Sequence, residues 1–138
     1  MVVVYELKKN QRYIDQVQHA TLTTKEFGIE PTHGLFGSDE WWRAIAFGQL
    51  PIHTQVGTIS KVYMGSMNDW PMFDLLTDTG EKSSWTREVN FSERDSLYRA
   101  GSRVEIDYVW QNSRPKSWSK GAEQKQVLEI RIADLEAS

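Results

Sequence analysis

From Val56 onward the chain alternates apolar and polar residues in short runs, broken by turn residues, and the pattern predicts five strands. Val56 to Met64 forms the first, with Gly57 and Gly65 allowing a bulge or tight curvature. Met72 to Thr77 follows, and Asp78-Thr79-Gly80 turns the chain into a third strand, Lys82 to Val89. In the fourth, Val104, Ile106, Tyr108 and Trp110 share one face and Glu105, Asp107 and Gln111 the other. The fifth, Val127 to Ala133, turns Leu128, Ile130 and Ile132 inward. A helix is expected between the third and fourth strands. Ser92 is its N-cap, Asp95 stands in a capping-box-like position, and Gly101 closes it.

Before Val56 the pattern is less regular. Val2 to Leu7 suits a strand. Tyr13 to His19 fits either a helix or a strand by periodicity, and Gly28 to Gly37 reads as loop. A helix near 39–47 has Ser38 or Asp39 as cap and ends at Gly48 and Pro51. Trp41 and Ile45 share one of its faces, as do Trp42 and Ala46. Without linker or repeat, residues 1–138 are expected to form a single domain: an N-terminal α/β extension over 1–55 and a barrel over 56–133.

Three strands, a helix and two further strands is an order that resembles the OB-fold, the oligonucleotide/oligosaccharide-binding barrel. The resemblance covers residues 56–133 at the level of fold and identifies no subfamily. It implies a mainly β chain built on a small five-stranded antiparallel Greek-key barrel. It also implies binding across the second and third strands, flanked by the loop between the first two strands and the loop between the last two. Those loops hold Trp70, and Arg114, Lys116, Trp118 and Lys120; the third strand adds Lys82, Trp85 and Arg87.

Composition changes this picture only modestly. The net charge is −3, yet residues 81–122 carry eight Lys and Arg against six Asp and Glu, whereas residues 56–80 carry one Lys against three Asp. Aromatic rings stack on unpaired bases and cations follow phosphates, so the leading expectation is non-specific binding of single-stranded DNA or RNA. Trp70, Trp85 and Trp118 would stack; Lys82, Arg87, Arg114, Lys116 and Lys120 would meet phosphates. A second reading is a non-enzymatic protein-interaction module that docks a partner through Trp41 and Trp42. A third is carbohydrate binding, since aromatic faces also stack on sugars.

No catalytic or metal site stands out. The chain has no cysteine, which excludes disulfides and thiolate zinc, and fits a reducing compartment. His19, His33 and His53 lack close ligand spacing, so neither metal nor cofactor is expected. Ser117 and Lys120 match a Ser-x-x-Lys pair, but after Pro115 they fall in a loop rather than on one helical face. The start lacks the layout of a secretory signal and no run is long enough to span a bilayer, so a cytoplasmic location is expected and the Asn90-Phe91-Ser92 sequon carries no weight.

Overall fold

The computed structural model describes residues 1–65, 69–114 and 123–133. Its strands are β1 (Val2–Glu6), β2 (His53–Gly65), β3 (Trp70–Leu76), β4 (Lys82–Thr86), β5 (Arg103–Asn112) and β6 (Glu123–Ile132). The helices are α1 (Gln11–Thr23) and α2 (Asp39–Ala46). The strands form one sheet in the order β1-β6-β5-β2-β3-β4. The chain divides into two compact units: the first holds residues 1–6, 54–107 and 129–138, the second 7–53 and 108–128. Among the described residues, no helix is long and apolar enough to cross a membrane.

In the first unit the sheet is open, not the closed five-stranded Greek-key barrel expected. The strand missing from that expectation is β1, which pairs antiparallel with β6, Val2 opposite Ile132 and Glu6 opposite Glu129. Its outer edge is then taken by the segment after β4 instead of by β4 itself. Asn90 donates its backbone N–H to Val4 O at 3.1 Å. Its side chain accepts from Glu6 N at 2.7 Å and donates to Glu6 O at 3.1 Å, while Arg94 binds Val3 O. A side-chain plug has thus replaced the ladder that would close a barrel.

After Asn90 the chain forms a 3-10 turn, Ser92–Leu97, where a helix was expected. Ser92 does not cap it: Phe91 holds the cap position and no side-chain cap bond forms. Tyr98 packs at a tilt against Phe73, with 5.1 Å between ring centroids, and its hydroxyl donates to Glu88 O at 2.6 Å. Burial pushes the Glu88 carboxyl above its ordinary range. A carboxyl whose folded pKa is raised subtracts stability at neutral pH, and acid removes that penalty as pH falls through the folded value. Glu88→Gln is therefore expected to raise the urea midpoint at pH 7 and to change it less near about pH 4.

The core of this unit holds Ile59, Phe73, Leu75, Val104, Ile106, Ile130 and Ile132, all essentially inaccessible. The alternation of β5 and β6 places Val104, Ile106, Ile130 and Ile132 as expected, and the hairpin turn closes as expected too. There Gly80, at φ 91°, donates to Thr77 O at 3.0 Å.

The second unit resolves Tyr13 to His19 as helix. Ile14, Val17 and Thr21 recur on one buried face of α1, and Asn10 caps it by accepting from Tyr13 N at 3.3 Å. Ser38 caps α2 by accepting from Trp41 N at 3.3 Å, and Gly48 follows it at φ 77°. Along β5, burial shifts here to Val109 and Gln111, while Trp110 is partly exposed. Gln111, expected on a solvated face, is 4% exposed because its Oε1 accepts from Trp41 Nε1 at 2.9 Å.

Candidate partner-binding surface

In the first unit β2, β3 and β4 form a meander whose register sets out a row of side chains on its outward face. Met72 lies between Tyr63 and Thr86, and Asp74 between Lys61 and Ser84. A bulge between Ile59 and Lys61 makes this possible. With strict alternation Lys61 would share the buried face of Ile59; the extra residue turns it outward. On β3 the inward residues are Phe73 and Leu75, leaving Trp70, Met72, Asp74 and Leu76 outward.

Hydrogen bonds hold this face in one arrangement. Asp74 Oδ1 accepts from Tyr63 Oη at 2.7 Å and from Ser84 Oγ at 2.7 Å. These bonds, led by Ser84, lower the Asp74 carboxyl below its usual range, so it is ionised at neutral pH. Lys61 Nζ sits 4.7 Å from the Tyr63 ring centroid. Trp70 donates Nε1 to Thr86 Oγ1 at 2.9 Å yet remains 54% exposed. Its polar edge is pinned and its apolar plane is open. The face offers a stacking plane, flexible thioethers, a fixed carboxylate and an ammonium: the means of binding.

A second polar cluster lies on β5 and β6. Arg131 reaches Asp107 through two bonds, at 2.8 and 3.0 Å, Glu105 at 3.0 Å, and Glu129. Asp107 also accepts from Thr54 Oγ1 at 2.7 Å, and Arg103 pairs with Asp78 at 2.8 Å. These ion pairs are consumed internally.

Five of the residues proposed for nucleic acid lie among the described residues: Trp70, Lys82, Trp85, Arg87 and Arg114. Trp70, assigned to a loop, begins β3 and is exposed; Lys82 is exposed on β4. Trp85 is only 6% exposed, turned inward beside Phe73, with Nε1 donating to Ser83 Oγ at 2.8 Å. It cannot stack on a base. Arg87 Nη2 points at Met64 Sδ at 3.4 Å. Arg114, in the second unit, is a clamp: it pairs with Glu30 at 3.1 Å, donates to Thr21 O at 2.9 Å and binds Thr24 O. It therefore ties off the end of α1 instead of meeting phosphate. Lys116, Trp118 and Lys120 lie outside the described residues.

Nor do Trp41 and Trp42 form an exposed pair. Trp41 is fully buried against Phe36, ring centroids 4.8 Å apart, and Trp42 packs edgewise on it beneath Lys8. Phe27, Phe47 and Trp110 are exposed rings of the second unit, and Lys125 Nζ approaches Trp110 at 5.6 Å. Among the described residues no group of His, Asp and Glu is arranged to hold a metal ion. Sequence reasoning missed Tyr63, Met72 and Asp74. The alternation of Trp70, Met72, Asp74 and Leu76 carried a signal for β3, but the bulge that aligns β2 with it did not show.

A family model described as Immunity protein RhsI2 matches residues 1–133, nearly the whole chain. The chain belongs to this family. The match runs from β1 through α1 and α2 to β6. It overturns the OB-fold resemblance and, with it, the expectation of single-stranded nucleic-acid binding. The burial of Trp85 and the pairing of Arg114 with Glu30 give the physical reason. No curated protein matches the chain.

Proposed function

We propose that this protein neutralises a partner toxin by binding it, and that it does so without catalysing a reaction. The observation that carries this reading is the family match across residues 1–133, since an immunity protein protects against a toxin. The same reading takes up the protein-interaction alternative drawn from the sequence, moved from Trp41 and Trp42 to another surface. The outward face of β2, β3 and β4 is the surface that suits it. Trp, Tyr and Met are the residue types enriched at protein interfaces, and Trp and Tyr at their energetic centres. The bonds from Trp70 to Thr86 and from Tyr63 to Asp74 hold these side chains in place before binding, so little side-chain freedom is lost on contact.

The test is to express protein toxins of the same genome in a surrogate host, with and without this chain. A toxin whose growth arrest the chain relieves is then purified in a catalytically disabled form and titrated against it. Relief of arrest together with direct binding is the expected result; relief of no toxin's arrest removes the reading. Trp70→Ala is expected to weaken that binding about tenfold to a hundredfold, as truncation of a central interface aromatic does. Its urea midpoint should stay close to that of the parent protein, because the ring is largely in solvent. Unchanged affinity would move the contact elsewhere on the molecule.

A further inference from the structure

The backbone of β4 has a free side. Arg87 donates its N–H to Pro71 O at 3.0 Å, and Thr77 donates to Glu81 O at 2.8 Å. Residues directly opposite in an antiparallel pair exchange bonds at every second position. With Phe73 opposite Trp85 and Leu75 opposite Ser83, those two pairs are the bonded ones between 71/87 and 77/81. Lys82, Ser84 and Thr86 therefore turn their N–H and C=O groups away from β3. Thr86 O is taken by Glu88 N at 3.0 Å. Among the described residues, the N–H groups of Ser84 and Thr86 and the C=O groups of Lys82 and Ser84 are left facing outward on the last strand of the sheet. The opposite edge, β1, is closed by Asn90 and Arg94.

We propose that β4 is where the toxin adds an extended strand of its own to this sheet. The inference rests on the toxin-binding reading and names the kind of segment bound. Donors and acceptors alternating at strand spacing are matched by another extended backbone and by little else. Lys82 is exposed at one end of the edge, so a fitting strand places a carboxylate opposite it, as favourable cross-strand pairs do. A toxin is favoured over a second copy of this chain on area. Two β4 strands paired with each other would join only five residues from each copy, too little for the roughly 1,000 Å² a specific interface needs. A toxin strand on this edge also leads directly onto Thr86, Trp70 and Met72, which continue the contact.

Amide hydrogen exchange on the free protein and on its complex with the disabled toxin tests this. Ser84 and Thr86 amides should exchange quickly in the free chain and at least about tenfold more slowly in the complex. Ser84→Pro removes one outward N–H, a change that edge strands tolerate. It should weaken binding at least about tenfold more than Ser84→Ala, which keeps the N–H. A complex that forms with both amides still exchanging at their free rates overturns the proposal and leaves the toxin-binding reading standing. Protection of both amides in the chain alone, with a doubled mass in solution, overturns it in favour of a second copy. No binding of toxin by the parent protein removes both readings together.

Discussion

Trp41→Ala is expected to lower stability by about 3–5 kcal/mol, the largest effect of any single truncation in the second unit. Trp41 is 0% exposed and packs against Phe36 and Trp42, so its removal leaves a cavity lined by two aromatic rings. It also strips the donor from Gln111 Oε1, a buried acceptor. The two costs can be separated. Trp41→Phe keeps much of the ring packing and removes the donor, so it should cost about 1–3 kcal/mol, the range for an orphaned buried polar group. Urea unfolding of both variants provides the measurement. Equal losses would show that the lost donor accounts for the whole effect and that the cavity adds nothing; parental midpoints for both would show that Trp41 is not a core residue.

The same contact shows where sequence reasoning reached and where it stopped. Strand β5 was legible through Tyr108 because one face meets a single core and alternation is then enforced. Beyond it, Gln111 is buried and Trp110 partly exposed, because a helix seventy residues earlier supplies the indole that satisfies the amide. A polar residue that is buried by a distant partner looks, in sequence, like a solvated one. Arg114 is the corresponding case for charge. Its composition reads as a loop cation, yet Glu30 and the Thr21 carbonyl hold it in place.

The mainly β class was legible, but the closed barrel was misjudged for a related reason. The pairing of Val2 with Ile132 joins the two ends of the chain, and nothing local in either strand announces it. A five-strand pattern was therefore completed as a barrel, when a sixth strand and the Asn90 plug supply what closure would have supplied. The local devices fared better. Ser38 as cap, Gly48 after α2 and Gly80 in the hairpin turn all act within a few residues of themselves, and each stands where its chemistry predicts. On the candidate surface, Trp70 was identified from sequence while its neighbours were not, because a bulge sets which β2 residues stand beside it.

Arg131→Met is expected to cost about 1–3 kcal/mol at neutral pH, and its cost should shrink in acid. The range for breaking a fully buried pair is about 3–5 kcal/mol, and the partial exposure of this cluster reduces it. In the parent protein the Arg131 guanidinium holds the Asp107 carboxyl below its ordinary value of 3.8. A carboxyl with a depressed folded pKa contributes stability above its unfolded pKa and loses it as pH falls through the folded one. The parent should therefore weaken below about pH 4. Without the guanidinium, Glu105, Asp107 and Glu129 lose the cation they share, and the loss of that partner raises the folded pKa of Asp107. The sign is then reversed: the unpaired Asp107 carboxylate destabilises at neutral pH, and the penalty is relieved as it takes up its proton. Urea midpoints from about pH 3 to pH 7 should thus converge between parent and variant on the acid side, and added salt should narrow the neutral-pH gap by screening. A deficit that stays constant with pH and salt would mean that Arg131 acts through its aliphatic packing alone.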